Sequence, residues 1–270
     1  MSRGPDPARA AIVDIGSNSV RLVIYAVHGA AALPYFNEKV MAGLGRGLAE
    51  TGELSEESVS AALAALRRFK AIVQGLDVKA IEAVATEAVR HASNGPAFAR
   101  RAAMVLGQDL TILSGEAEGR LSAIGVLAGA HKPFGLVGDL GGSSLELHSI
   151  GIDEAPAGET HLVGPLALSS NGSFSESKVR DLVGEHLSES AHSGAGYDRF
   201  YAVGGAWRAL AKLHMDLRSY PLRVLNGYTL RAKDLRKTIK AVLASGDTPQ
   251  LRSRLESISS RRAPMAPYAA

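Results

Sequence analysis

There is no cysteine anywhere in the 270 residues, which excludes disulfides, thiolate metal centres and cysteine nucleophiles at once. Any chemistry must rest on oxygen and nitrogen groups. No apolar run approaches the ~20 residues that span a bilayer, and the opening MSRGPDPARA lacks the apolar segment of a secretory signal. A cytoplasmic protein with no membrane partner is expected. The eight histidines show no metal spacing, since His186 and His192 lie six apart and would face different sides of a helix. No His–Asp pair marks a metal-hydrolase helical domain. Hydrophobic residues make up 46% and charged residues 21%, a balance that suits one large or two moderate globular domains with buried cores.

The net charge of +3 hides an uneven distribution. Residues 199–270 hold 14 lysines and arginines against 4 acids, a net +10, while residues 1–198 hold 16 against 23, a net −7. A basic final third suggests a surface for a polyanion, nucleic acid or polyphosphate. The alternative is a solvated helix face, because Arg231, Lys233, Arg236, Lys237 and Lys240 fall on one predicted helix. No aromatic residues interleave with the charge, which argues against stacking on single-stranded bases.

The most informative stretch is Leu136 to Leu147, LVGDLGGSSLEL, which reads as strand, tight turn, strand. Gly141 and Gly142 would let the turn take positive φ and present backbone N–H groups to an anion, with Ser143 and Ser144 beside them. Asp139 and Glu146 flank the turn, and their carboxylates would repel a phosphate unless a hard cation sat between, Mg²⁺ being the usual one. Alone, the motif could equally be a glycine-bearing hairpin with no chemistry. It occurs twice, however: AIVDIGSNSVRLVIYAV repeats the design with Asp14, Gly16 and the turn Ser17, Asn18, Ser19. Aligning Asp14 with Asp139 puts Gly16 on Gly141 and Ser19 on Ser144, an offset of 125 residues. Two such hairpins imply two similar domains facing a cleft with a phosphate turn on each wall. Period-2 alternation points Arg21 to the same side as Ser19, within reach of the same anion.

Between the hairpins, KVMAGLGRGLAETG (39–52) reads as a turn-laden connection. Ser55 can cap a helix whose apolar stripe is Val59, Ala62, Leu63, Leu66, Phe69, Ile72 and Val73. A strand, VKAIEAVAT, leads into TEAVRHASN, where Arg90 is a candidate phosphate clamp near a strand end, against the reading of a surface arginine; Asn94 lies four residues on. The helix PAFARRAAMVL and the strand DLTIL precede Ser114-Gly115 and a long helix, EAEGRLSAIGVLAGA, at the joint between halves. Glu116 and Glu118 in its first turn are either dipole partners or, for one of them, a base that orients water. Further on come a strand near Thr160 to Val163, an amphipathic helix over 175–188, and the strand RFYAVGG. In that last strand Gly204 and Gly205 break into the helix AWRALAKLHM, a third place for an anion or nucleoside.

Taken together and in order, DIGSNSVRLVI, TEAVRHASN, SGEAEGRL, DLGGSSLEL and VGGAWRALA resemble the exopolyphosphatase/guanosine pentaphosphate phosphohydrolase (Ppx/GppA) family of the actin-like, sugar-kinase-like ATPase superfamily. The resemblance runs from about residue 11 to the end. It implies an α/β fold of two ribonuclease-H-like domains, over 1–123 and 124–270, with the active site in the cleft between them. By position, Glu118 resembles the family's catalytic glutamate, with Ala117 where a second carboxylate is common. Asp139 and Glu146, with Asp14 as counterpart, resemble the Mg²⁺-associated carboxylates. Ser17 to Ser19 and Gly141 to Ser144 match the phosphate turns, and Arg21 and Arg90 the phosphate-binding arginines. Gly204 and Gly205 match the third motif, where Trp207 is bulkier than the family pattern and puts a nucleoside contact in doubt. Relatives continue past RRAPMAPYAA with a helix, a strand and a further glycine-arginine motif, whereas this chain stops at Ala270. Either the sequence is truncated or domain two lacks its last elements, and one phosphate-binding arginine is unaccounted for. The additional helical domain of longer relatives is also absent.

The implied activity is Mg²⁺-dependent hydrolysis of a terminal phosphoanhydride with Glu118 activating water. Inorganic polyphosphate is the first substrate, guanosine pentaphosphate of the stringent response the second, and a homodimer the expected state. Three rivals stand beside it. A kinase or ATPase of the same superfamily would transfer phosphate to an acceptor and needs a nucleoside pocket. A guanosine tetraphosphate-binding module would release no phosphate. A nucleic-acid binder would show a steep salt dependence, and is disfavoured by the missing aromatics.

Overall fold

The computed structural model describes residues 8–29, 31–151, 158–169, 174–244, 253, 254, 256 and 266–270. It divides into two compact units, Met1–Ser114 and Gly115–Ala270.

The first unit runs β1 (Ala8–Ile15), β2 (Val20–His28), β3 (Ala31–Val40), α1 (Leu48–Thr51), α2 (Glu56–Gly75), β4 (Ala80–Ala85), α3 (Glu87–His91), α4 (Gly95–Leu106) and β5 (Thr111–Ile112). Its sheet has the order β3-β2-β1-β4-β5, antiparallel through the first three strands and parallel from β1 to β4 and β5. Ser55 caps α2 by accepting from the Ser58 N–H, and the anticipated stripe Val59, Ala62, Leu63, Leu66, Phe69 and Val73 is buried against Val13, Ile15, Leu22 and Ile24. Strand β3 is an addition that the sequence pattern hides, because Pro34 sits inside it. The strand tolerates proline by lying at the sheet edge, with a register shift opposite, between Ile24 and Tyr25.

The second unit runs α5 (Gly115–Gly129), β6 (Gly135–Leu140), β7 (Leu145–Ile150), β8 (Glu159–His161), α6 (Pro165–Ser169), α7 (Glu176–Ser188), β9 (Phe200–Gly204), α8 (Gly205–Leu217), α9 (Ala232–Leu243) and a last turn α10 (Ala266–Ala269). Its sheet order, β8-β7-β6-β9, repeats β3-β2-β1-β4 of the first unit. Among the described residues it has no counterpart of β5; of the RRAPMAPYAA region, residues 261–265 lie outside the described set. The division falls at Ser114/Gly115 rather than at 123/124 because all of α5 belongs with the second sheet.

Alternation sorts that sheet's faces. Leu140, Leu145 and Leu147 turn to one face, against Val163 and Leu168 and the α7 residues Val179, Leu182 and Val183. Val137, Asp139, Glu146 and Ile150 turn to the other, which α5 covers through Ala123 and Val126.

Candidate functional site

The duplicated hairpins close on the same hydrogen bond. The Gly16 N–H donates to the Ser19 carbonyl at 3.0 Å, and the Gly141 N–H to the Ser144 carbonyl at 2.9 Å. Neither Gly16 nor Gly141 takes a positive φ, contrary to the expectation for Gly141, and a Cβ on either would meet its surroundings at ordinary contact distance.

Each turn is braced by a second segment of its own unit, in the first unit the 39–52 stretch that the sequence offered only as a connection. In the first unit the Gly45 and Gly43 N–H groups donate to the carbonyls of Ser17 (2.6 Å) and Asn18 (3.1 Å). In the second, the Leu166 and Gly164 N–H groups donate to the carbonyls of Gly142 (2.7 Å) and Ser143 (2.8 Å). A planar trans peptide holds its N–H opposite its C=O. Tying those carbonyls to the brace therefore aims the N–H groups of Asn18 and Ser19, and of Ser143 and Ser144, away from it. Among the described residues none of these four amides donates to another protein group. Paired outward amides form an anion nest, and the two nests stand at equivalent positions of the repeat.

Glycine is needed for the bracing. A Cβ on Gly164 would lie 2.3 to 2.5 Å from the Ser143 backbone, and one on Gly45 would lie 3.0 Å from the Ser17 Cβ.

The remaining sequence-derived candidates of the first unit are fixed as follows. Ser17 is buried and its hydroxyl donates to Glu87 at 3.4 Å, so of the three turn residues Asn18 and Ser19 face outward. Asp14 is the ladder partner of Arg21. The Arg21 Nε donates to Asn37 Oδ1 on β3 at 2.9 Å. The Arg90 Nη1 donates to the Leu113 carbonyl, tying α3 to the end of β5. Asn94 exchanges both amide bonds with the backbone of Leu54, a brace rather than a ligand group.

In the second unit Asp139 and Glu146 are direct cross-strand partners on the face beneath α5. Small residues let the helix lie close: a Cβ on Gly115 would strike the Thr160 hydroxyl at 2.2 Å, and one on Gly119 would stand 3.1 Å from the Glu146 Cβ. One turn on, the Ser122 hydroxyl donates to Asp139. Glu118 precedes Ser122 by four residues, so it lies on the same side of α5, on the segment this bond anchors. Burial pushes the Asp139 carboxyl above the usual range, while the Ser122 bond and the charge of Arg208 pull the other way. Glu146 is only 1% exposed.

Gly204 closes the opposite edge of this site. Its φ of 110° and the 2.3 Å approach its Cβ would make to the Leu140 carbonyl admit glycine alone. Helix α8 starts on Gly205, at the strand end next to the 141–144 turn. Arg208, in its first turn, donates from Nε to the Gly204 carbonyl at 3.0 Å. Arg208 was not singled out in the sequence. Its signal was a cation one turn inside a glycine-led helix start. Trp207 points to the other face of the sheet, edge-to-face on Phe200 with centroids 5.2 Å apart and with its ring 3.1 Å from where a Gly138 Cβ would be. There it lines an apolar cavity of about 660 Å³ with Leu136, Leu140 and Val183. It does not occupy the Asp139 face.

For a hard cation the donor set is chemically apt, since Asp139 and Glu146 supply adjacent carboxylate oxygens. Among the described residues no three acidic or histidine groups converge as ligands. Asp139, the less deeply buried of the pair, suits Mg²⁺, which takes one or two carboxylates and completes its shell with water and phosphate oxygens.

Known proteins share this fold. The chain superposes on an exopolyphosphatase from Cytophaga hutchinsonii with a TM-score of 0.84 at 22% identity, covering 97% of this chain and 87% of that one. It superposes on a Ppx/GppA family member from Aquifex aeolicus with a TM-score of 0.78 at 23% identity, covering 97% and 88%. These likenesses bear on the fold. In sequence it is 34% identical over 186 residues to a guanosine-5'-triphosphate,3'-diphosphate pyrophosphatase of Pseudoalteromonas atlantica, a match covering 68% of this chain and 35% of that protein. The matched region is thus about a third of that relative's length. The sequence pattern of the Ppx/GppA phosphatase family matches residues 23–270, and the chain belongs to that family.

Proposed function

We propose that this protein hydrolyses the terminal phosphoanhydride of inorganic polyphosphate, with Mg²⁺ and with Glu118 as the base for the attacking water. The observation that carries the proposal is the pair of braced turns whose amides at Asn18, Ser19, Ser143 and Ser144 face outward at matching positions. Fixed amides of this kind stabilise the equatorial oxygens of a transferring phosphoryl group at no reorganisation cost. The start of α8 and the guanidinium of Arg208 add donors beside the second turn.

Glu118 would accept the proton of water, and the Ser122–Asp139 bond would hold the helix that presents it. Mg²⁺, held at Asp139, would neutralise charge on the phosphate oxygens. Glu146, sealed under Gly119, would act as a buried neighbour that sets the charge around Asp139.

Guanosine pentaphosphate is the second reading, favoured by the relative named for a guanosine-5'-triphosphate,3'-diphosphate pyrophosphatase. Phosphate release from long-chain polyphosphate and from guanosine pentaphosphate, side by side with Mg²⁺, tests both. A higher kcat/KM for polyphosphate is expected. A higher value for the nucleotide would reassign the substrate, and release from neither would end the hydrolase reading.

A further inference from the structure

Helix α9 has three distinct faces. Asp234, Thr238 and Val242 are buried, the last against Leu210 and Leu213 of α8. Ile239 and Leu243 form an apolar flank along the cavity behind the sheet. Lys233, Arg236, Lys237 and Lys240, at i, i+3, i+4 and i+7, form the third face and are all exposed.

Solvated helices ordinarily interleave acids with such cations, as α7 does when Arg180 pairs with Glu176 one turn away. The α9 face has no acid. The helix's one acidic residue, Asp234, is on the buried side and is engaged by Arg231 at 2.9 Å and Arg218 at 3.7 Å. None of the four stripe residues makes an ion pair among the described residues. Four like charges on adjacent turns repel one another, and an external polyanion relieves that repulsion.

The helix that carries the stripe also leads back toward the candidate site. The start of α9 meets the end of α8 through Arg218, and its far end packs on Leu210 and Leu213, so α9 runs back along α8 toward the end where Gly205 and Arg208 lie. Residues 232–243 contain no aromatic side chain on which a base could stack.

We infer that the Lys233–Arg236–Lys237–Lys240 face is an exosite for the body of a long inorganic phosphate polymer. It would hold the chain while the polymer's end occupies the turn over Gly141–Ser144. The inference rests on the hydrolase reading for what the polymer's end does there, and on the stripe alone for binding.

The test compares wild type with a variant in which Lys233, Arg236, Lys237 and Lys240 are all glutamine, and with the pair Lys233→Gln/Lys237→Gln as a milder change. Two readouts are taken. In kinetics, KM for long-chain polyphosphate rises by about tenfold or more in the fourfold variant, and by less in the pair, while KM for guanosine pentaphosphate and tripolyphosphate stays unchanged. An equal rise for short and long substrates, or none for either, overturns the exosite. Fluorescence anisotropy of labelled long-chain polyphosphate, which needs no turnover, shows the same weakening and a shallower salt slope. Unchanged affinity there overturns the exosite even in a protein that releases no phosphate, an outcome that would separately sink the hydrolase reading. Tighter binding of single-stranded or duplex DNA than of polyphosphate at equal charge would assign the face to nucleic acid instead.

Discussion

Ser122 on α5 donates its hydroxyl to Asp139 on β6, and this bond links the helix that carries Glu118 to the strand that leads into the 141–144 turn. Without the bond the only influence lowering the Asp139 pKa besides Arg208 is gone, while burial remains. Ser122→Ala is therefore expected to shift the acid limb of the pH–rate profile upward and to lower kcat more than it raises KM. A profile superimposable on wild type would show that Asp139 and α5 act independently.

The brace behind the second turn gives the sharpest steric prediction. Gly164→Ala places a methyl within 2.3 to 2.5 Å of the Ser143 backbone, so either the turn or the 163–165 loop must move. A stability loss of about 1–3 kcal/mol is expected, with polyphosphate affinity reduced more than the lost stability alone explains. Gly45→Ala, at 3.0 Å from a side-chain carbon, should cost less. Thermal melts and binding measured on both variants check the order.

Arg208 can be tested by charge and by shape. Arg208→Gln removes a guanidinium that hydrogen-bonds Gly204 and draws down the Asp139 pKa. About a tenfold or larger rise in KM is expected, the worth of one charge-assisted hydrogen bond. Arg208→Lys should recover part of it, since a point charge replaces a fork. A KM unchanged in both would remove Arg208 from substrate binding.

Much of this was legible in the residues themselves. The alternating strands around DIGSNS and DLGGSS, the offset between them and the Ser55 cap with its apolar stripe are local signals, and the structure has each where the sequence put it. Features that depend on distant chain segments were not legible. Pro34 disguised β3 because a proline is acceptable only once the strand is known to lie at an edge. Gly43, Gly45 and Gly164 read as loop residues because what makes them necessary is a turn elsewhere in the chain. Trp207 put a nucleoside contact in doubt, and the start of α8 turns it to the opposite face of the sheet, against Phe200 and the Leu140 cluster. The depth of Glu146 depends on Gly119 of a helix that the sequence placed only at the joint.

Glu159 gives a stability prediction apart from catalysis. Burial raises its pKa, but the Ser190 hydroxyl, the Ala191 N–H and His161 outweigh burial and leave it below the ordinary value. A carboxylate with a lowered folded pKa stabilises fully above its unfolded pKa and loses that contribution as pH falls through the folded one. Glu159→Gln should thus cost about 1 kcal/mol at pH 7 and progressively less below about pH 4. Denaturant midpoints across that range decide it, and a difference that grew on acidification would contradict the assignment.

The most direct measurement separates binding from chemistry at Glu118. Wild type and Glu118→Gln are compared for phosphate release from polyphosphate with Mg²⁺ and, by calorimetry under the same conditions, for polyphosphate affinity. If Glu118 is the base and the braced turns hold the phosphate, release falls by about 10²–10⁴ while affinity stays within a few-fold of wild type. Undiminished release from the variant would contradict the mechanism.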